Sequence, residues 1–480
     1  MFKQQLCSAE SNMFLKTRKL QEKIGENINW QLSFAWVKEK ERTKHVHRLH
    51  PYKGKFIPQL VEYFLDQHVD EFKKEIFFRE GDIIIDPFAG SGTTLIQANE
   101  LGIHGIGIDV SEFNALIAEV KFANVSLMEL QKHVQKILTD LLSFEEVQKI
   151  REFEVMLDKE IKKFNTLHFA VSGFKKLLDE GKVPKDYIEE KEREISNVFF
   201  AIAYKYGIKL LQEQTSSDTF IDTWYVSSIK TEAQNVLSYI SQIDNEAIQK
   251  TLKVILSRAM RSVRSTTHMD LDRLKTPQAT PYFCYKHFKI CVPPFSLATY
   301  FEKYAYDTIK RLEEYQQIKT SAFQCMLTGD SRNIDLDKEL KNKYPQFHEI
   351  FRRKKAKGIF TSPPYLGQLD YHEQHAYSYE LFGIQRKDIF EIGSAMKGSS
   401  MNARKEYIED ISNVLTNMNK YLTDDAHIFI VANDKYNLYY EIANRAGLRI
   451  VEEMKRPVLN RTSRDRHPYS ESIFHMVKKG

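Results

Sequence analysis

The segment from Asp82 to Asp109 constrains the fold more than any other part of the chain. An apolar run, Asp82-Ile-Ile-Ile-Asp86, is followed by Pro87-Phe-Ala-Gly90-Ser-Gly92-Thr-Thr94, then by an apolar-periodic stretch, then by Gly105-Ile-Gly-Ile-Asp109. Strand, glycine turn, helix and strand in that order predict a parallel α/β sheet. The same alternation resumes near residue 323. Strands are expected at Ala322–Leu327 and Gly358–Thr361, a helix over Lys405–Leu422, and strands over His427–Ala432 and Ser472–Val477. Between these halves the pattern changes. Leu127–Phe144, Glu190–Gln214 and Glu232–Val263 show helical periodicity, much Glu and Lys, and almost no glycine. An aromatic stretch, Pro281–Ile290, and a further helical segment, Ser296–Tyr315, complete this region. The 480 residues are therefore expected to form one α/β domain from residues 1–125 and 317–480, with helices on both faces of the sheet. A mainly helical insertion, residues 126–316, interrupts it and has the size of a separate domain.

The glycine loop is built to hold a ligand. Gly90 and Gly92 permit positive φ and a close approach to the backbone. The amides that open the following helix favour a negative group such as a carboxylate or phosphate. No Gly-Lys-Ser/Thr follows, so this is not a phosphate-binding Walker loop, and Leu95 stands where a dinucleotide fingerprint needs its third glycine. Asp109 ends the next strand, near the spacing at which an acid grips ribose hydroxyls. Loop and acid together describe one nucleoside-sized site on the C-terminal edge of the strands.

The run Asp86–Thr94 resembles motif I of the amino-directed DNA methyltransferases, Asp-Pro-Phe-x-Gly-Ser-Gly-Thr-Thr, at every fixed position. The resemblance implies a Rossmann-like sheet of the S-adenosylmethionine-dependent methyltransferase kind. It also implies S-adenosylmethionine in this loop, with Asp86 near the methionine ammonium, Gly90 and Gly92 against the methionine portion, Asp109 on the ribose, and Phe88 and Thr93 beside them. His50-Pro-Tyr-Lys-Gly-Lys-Phe-Ile-Pro58 resembles motif X, which makes Tyr52, Lys53 and Phe56 candidate cofactor contacts. Thr328-Gly-Asp330 resembles motif III, whose acid meets the adenine amino group.

Thr361-Ser362-Pro363-Pro364-Tyr365 ends an expected strand, because two prolines cannot continue a ladder. It resembles motif IV of the same family, in which Ser at the first position is typical of cytosine N4 enzymes and Asp or Asn of adenine N6 enzymes. The chemistry suits such a loop. The lone pair of an exocyclic amine is delocalised into its ring, so fixed acceptors on both amino hydrogens favour the pyramidal nitrogen that attacks a sulfonium methyl. The Ser362 oxygen and the Pro363 carbonyl are the candidate acceptors, Pro364 stiffens the turn, and Tyr365 offers a face on which an extruded base stacks. The motif order, cofactor loop before catalytic loop, more often accompanies adenine methylation. Ser362 favours cytosine. The expected activity is a site-specific DNA (cytosine-N4) methyltransferase acting on double-stranded DNA, its amino-directed part implied by the family resemblance and its cytosine part by Ser362, with restriction–modification as the biology by analogy and a separate cognate restriction endonuclease as a partner.

Net charge is only +5, from 70 basic and 65 acidic residues, so a DNA surface must come from local clusters. Arg258, Arg261 and Arg264 recur every third residue, and His268, Arg273, Lys275, Lys286, His287 and Lys289 continue the basic run. Arg352 and Arg353 lie in Phe351–Lys357, before the Ser-Pro-Pro-Tyr strand, and Arg461 and Arg464 lie in a polar loop near the C-terminus. These are the candidate phosphate contacts, and the insertion is the candidate target-recognition element. Asn433-Asp434, at another strand end, is either a turn or part of the base pocket.

Other classes fit less well. Asp186, Glu189 and Lys191 superficially resemble a nuclease metal site, but they fall within one charged helical stretch. An adenine N6 enzyme, an RNA methyltransferase and a catalytically silent DNA-binding subunit are the alternatives. The four cysteines, Cys7, Cys284, Cys291 and Cys325, are too few for a disulfide framework and point to a reducing compartment. Cys284, His287 and Cys291 lack a second ligand pair and read as structural, so no metal is expected. No signal peptide and no membrane-spanning run of about 20 apolar residues is visible, and a cytoplasmic location in a bacterial or archaeal cell is the expectation.

Overall fold

The computed structural model describes residues 28–34, 36–52, 54–170, 173–184, 186–208, 219–268, 274–458 and 469–480. The chain divides into two compact units. The first comprises residues 1–122, 314–372 and 386–480, and the second residues 123–313 and 373–385.

The strands of the described residues, in chain order, are β1 (Ile83–Asp86), β2 (His104–Asp109), β3 (Tyr282–Cys284), β4 (Lys289–Cys291), β5 (Gln324–Thr328), β6 (Ala356–Thr361), β7 (Leu422–Ala432), β8 (Leu448–Pro457) and β9 (Ser470–Lys478). Seven of them form the sheet of the first unit, in the order β5-β2-β1-β6-β7-β9-β8. Neighbours from β5 to β7 are parallel, and β9 runs antiparallel between β7 and β8. This is the Rossmann-like α/β sheet that the sequence predicts.

The strands alternate their side chains between two apolar layers, which is what burial on both faces requires. Ile83, Ile85, Ile106, Ile108, Ile359, Ile428 and Ile430 share one core with the helix Met401–Asn419. Ile84, Phe360, Phe429 and Val431 share the other with the helix Pro58–Leu65. The connections lead from β1 to β2 and β5 on one side, while β6 and β7 lie on the other. The order therefore reverses between β1 and β6, and a crevice opens outside the carboxyl ends of the strands at such a switch point.

The second unit is mainly helical, with the helices Leu127–Ser143, Glu145–His168, Tyr187–Tyr206, Ser227–Ser241 and Glu246–Ser262 and the antiparallel hairpin β3–β4. Its core centres on Phe153, Phe199, Phe283 and Phe295. The expected helix Glu232–Val263 is two helices, because Asn245 accepts from the Ile248 amide at 3.3 Å and starts a new one. The helix expected over Lys405–Leu422 ends at Asn419, and Leu422 begins β7. Strand β8 was not anticipated from the sequence pattern. Residues 373–385 belong with this unit: Ser378 Oγ lies 2.8 Å from Ser257 Oγ, and Glu380 Oε2 accepts from the Phe220 amide at 2.7 Å.

Candidate active site

Side-by-side pairing of β1 and β6 brings the two expected loops together. Ile84 pairs with Gly358 and Ile85 with Ile359, so Asp86 and Thr361 end adjacent strands. Thr361 Oγ1 donates to Asp86 Oδ1 at 2.6 Å, and the Phe88 amide donates to the same oxygen at 3.1 Å. Ser331 Oγ donates to the Pro87 carbonyl at 2.6 Å, which ties the end of β5 to the same loop.

The glycines work as a close approach requires. Gly90 and Gly92 have φ of +50° and +77°. A Cβ on Gly90 would lie 2.7 Å from the Tyr52 hydroxyl, and one on Gly92 would lie 2.9 Å from Ala118 Cβ. Lys121, buried behind the loop, donates its Nζ to the Ser91 carbonyl. Burial depresses the Lys121 ammonium well below the usual lysine range.

These elements enclose a cleft of about 830 Å³ open to solvent. Tyr52, Phe56, Asp86, Phe88, Gly90, Thr93, Asp109, Asp330, Ser362 and Pro364 line it, so most of the expected site residues converge on one place. Gly92 supports the loop from behind, Pro363 is buried beneath the turn, and Tyr365 is half-buried beside it. Lys53, Arg461 and Arg464 lie outside the described residues.

Burial sets the electrostatics of the cleft. Asp86 is pushed up to about 6, chiefly by desolvation, against hydrogen bonds from Thr361, Thr94 and Phe88. Asp109 is also pushed up to about 6 by burial. Its Oδ2 accepts from the Gly90 amide at 2.9 Å, and its Oδ1 from the Ser111 amide at 2.8 Å and Asn114 Nδ2 at 3.1 Å. Ser91 Oγ, Thr93 Oγ1 and Asn114 Oδ1 are buried in the lining with no protein hydrogen-bond partner among the described residues. Buried polar atoms are ordinarily satisfied, so this lining fits a polar ligand. Asp330 spends both oxygens on Arg332, which also binds Asp410 at 2.6 Å.

Beyond the cleft, Tyr365 is fixed at its far end. Its hydroxyl donates to Glu471 Oε1 at 2.8 Å, and Glu471 pairs with the buried Arg456 at 2.9 Å. The Pro364 carbonyl accepts from Tyr407 at 3.0 Å. Sequence reasoning missed Glu471, Arg456, Lys121, Asn114 and the wall formed by Tyr371, His372 and Glu391. Tyr371 stacks on Tyr52 with ring centroids 5.8 Å apart, and the Glu391 carboxylate accepts from its amide. Tyr371 follows Ser362 by nine residues without any local pattern to mark it. Asp434, offered as a turn or a pocket residue, accepts from the Leu438 and Tyr439 amides and so holds the turn that precedes the helix Tyr439–Arg445.

The basic clusters require correction. Arg258 is buried, not presented for phosphate: it donates to Asp307 at 2.7 Å and Thr308 at 3.0 Å and lies over the Tyr304 ring. Arg264 is buried over Tyr377, with its Nε on the Arg261 carbonyl, while Arg261 itself is half-buried. Arg352 and Arg353 are exposed, but they precede β6. Six strand residues, about 20 Å, separate that end of the sheet from the edge carrying Ser362.

A DNA methylase family model of the N6/N4 class matches residues 6–120. The type II methyltransferase M.MjaII of Methanocaldococcus jannaschii is 49% identical over 473 residues, covering 96% of this chain and 86% of its own. The type II methyltransferases M.MvaI of Kocuria varians and M.BsoBI of Geobacillus stearothermophilus match at 30% and 29% identity, over 25% and 28% of this chain and 24% and 22% of theirs.

Proposed function

The chain belongs to the amino-directed DNA methyltransferases, and from that premise we propose that it methylates N4 of cytosine in duplex DNA with S-adenosylmethionine as donor. The observation that carries the reading is the junction of two strand ends. The buried Asp86 loop and the Ser362–Tyr365 turn share the Thr361–Asp86 hydrogen bond and face one cleft.

Asp86, Asp109 and the unsatisfied hydroxyls of Ser91 and Thr93 would hold S-adenosylmethionine. When bound, it supplies an electrophilic methyl on a sulfonium. Asp109 would accept from ribose hydroxyls with lone pairs beyond those used by Gly90, Ser111 and Asn114. Ionised Asp86 would face the methionine ammonium. Ser362 Oγ and the Pro363 carbonyl would accept the two amino hydrogens of the target base and hold its nitrogen pyramidal. Tyr365, anchored through Glu471 and Arg456, keeps its ring in one orientation for stacking on an extruded base. The proton can leave the nitrogen after methyl transfer, so no general base is required. The helical unit would read the recognition sequence, and a cognate restriction endonuclease would act separately.

Transfer of labelled methyl from S-adenosylmethionine into duplex DNA, compared with RNA, tests the reading. Label is expected in duplex DNA and should be lost on Ser362→Ala. Label confined to RNA, or unchanged by that substitution, would overturn it.

A further inference from the structure

The hairpin β3–β4 carries chemistry that the transferase cleft does not use. Phe283 and Ile290 face one side and pack into the aromatic core of the helical unit. Tyr282 pairs with Cys291 and Cys284 with Lys289, so the two cysteines are diagonal neighbours on the opposite side. The turn between them is tight. The Cys284 carbonyl accepts from the amides of His287 at 3.0 Å and Phe288 at 2.7 Å, and Phe288 adopts a positive φ of +52°. The His287 ring lies over the hairpin. Its Nδ1 lies 3.5 Å from Cys284 Sγ and 3.5 Å from Cys291 Sγ.

A fourth group arrives from elsewhere in the chain. His268, after the helix Glu246–Ser262, places Nδ1 3.6 Å from Cys284 Sγ, and its ring centroid is 4.6 Å from that of His287. The Tyr282 hydroxyl holds His268 in place, 2.9 Å from its backbone nitrogen and 2.9 Å from Nδ1. One donor atom from each of His268, Cys284, His287 and Cys291 lies within 4.8 Å of every other. The sequence offered only three of these in one stretch; folding supplies the fourth.

We propose that His268, Cys284, His287 and Cys291 bind one Zn²⁺ ion in a structural, four-coordinate site that ties the hairpin to the end of the preceding helix. The distances carry the argument. With metal–sulfur bonds near 2.3 Å and metal–nitrogen bonds near 2.0–2.1 Å, a tetrahedron has sulfur–nitrogen edges of about 3.6 Å. Three such edges are present, at 3.5, 3.5 and 3.6 Å. Two thiolates and two imidazoles form a borderline-soft set that selects zinc among divalent ions in a tetrahedral frame. Four protein ligands leave no open position, so the ion is structural and takes no part in methyl transfer. Binding releases the two thiol protons and leaves the Zn(Cys)₂(His)₂ group neutral. When Nδ1 of His268 takes the ion, the Tyr282 hydroxyl gives up its contact with that nitrogen and keeps the hydrogen bond it accepts from the His268 backbone amide at 2.9 Å.

The test uses full-length protein purified under reducing conditions without chelator. Metal analysis is expected to find one zinc per chain. Exchange for Co²⁺ should give the visible absorption of tetrahedral cobalt together with thiolate-to-metal charge transfer. Cys284→Ser, Cys291→Ser and His268→Ala should reduce zinc to background, and Cys7→Ser should leave it at one per chain. Should those variants fail to fold, two further readouts remain. Cys291→His keeps four ligands and should retain the metal while losing part of the charge-transfer band. In the unmodified protein, two thiols should become reactive only when a chelator has removed the zinc. Two outcomes would overturn the proposal: wild-type protein that takes up neither Zn²⁺ nor Co²⁺ stoichiometrically, or intact mass two hydrogens light with Cys284 and Cys291 joined as a disulfide.

Discussion

The helical unit and the cleft of the sheet unit hold buried charge for different ends. In the helical unit, the buried Arg258 and Glu232 are each bonded to neighbours of the same unit. Arg258 meets Asp307, and the buried Glu232 accepts from the Ala298 amide. Burial raises Glu232 to about 7, and from mid-helix its carboxylate holds the first turn of the helix Leu297–Gln316. In the sheet unit, Asp86 and Asp109 are buried at strand ends, pushed up to about 6 by desolvation, and aimed at a cleft whose lining also holds unsatisfied hydroxyls. The first arrangement consumes polar groups to build a scaffold. The second keeps them costly and available, as ligand sites do.

The largest effect expected from this contrast is catalytic. Tyr365→Ala should lower methyl transfer by about 10²-fold or more, through the lost orientation of the base, with S-adenosylmethionine affinity unchanged in calorimetry. Equal loss of both would place Tyr365 in the cofactor site instead. Next comes the scaffold. Arg258→Ala removes a buried side chain that bonds Asp307 and Thr308 and lies over Tyr304, and should cost about 2 kcal/mol of stability in denaturant unfolding. Arg352→Ala, at an exposed helix end, should stay within about 0.5 kcal/mol. Equal effects would erase the distinction between them.

Asp86→Asn is a sharper probe. Its Oδ1 can still accept from Thr361 and Phe88 while the charge is gone. The folded value of about 6 lies above the ordinary 3.8, so the folded chain holds this proton longer than the unfolded chain. The carboxyl therefore contributes stability fully below about 3.8, and that contribution is lost as pH rises from there through about 6. The variant should gain about 1–2 kcal/mol at neutral pH and lose cofactor affinity, a trade that thermal melts and calorimetry would register together. The smallest effect is in the wild type. As pH falls from 7 to 5, Asp86 and Asp109 take up protons, and the dissociation constant for S-adenosylmethionine should rise about tenfold. A flat profile would show that neither carboxylate meets the cofactor as an anion.

What the sequence disclosed follows the same division. The glycine loop and the Ser-Pro-Pro-Tyr turn are local: glycine at positive φ and consecutive prolines dictate backbone shape within a few residues. Both were legible, and the sheet brings them together. Arg258, Arg261 and Arg264 looked like a phosphate-binding face because Asp307, which claims Arg258, lies 49 residues away. Strand β8 escaped notice because a register shift between Ile450 and Glu452 breaks its alternation and leaves Val451 exposed. Tyr371, Glu391 and Glu471 reach the site region only through tertiary packing. His268 is a further instance, separated from Cys284 by a stretch that gives no hint of their meeting.

The central claim is that the Ser362 turn presents a cytosine amino group to the cofactor cleft. Digestion of duplex DNA methylated by this protein, followed by mass spectrometry of the nucleosides, tests it most directly. The account predicts labelled N4-methyldeoxycytidine from wild-type protein and none from Ser362→Ala. Label in N6-methyldeoxyadenosine would contradict it.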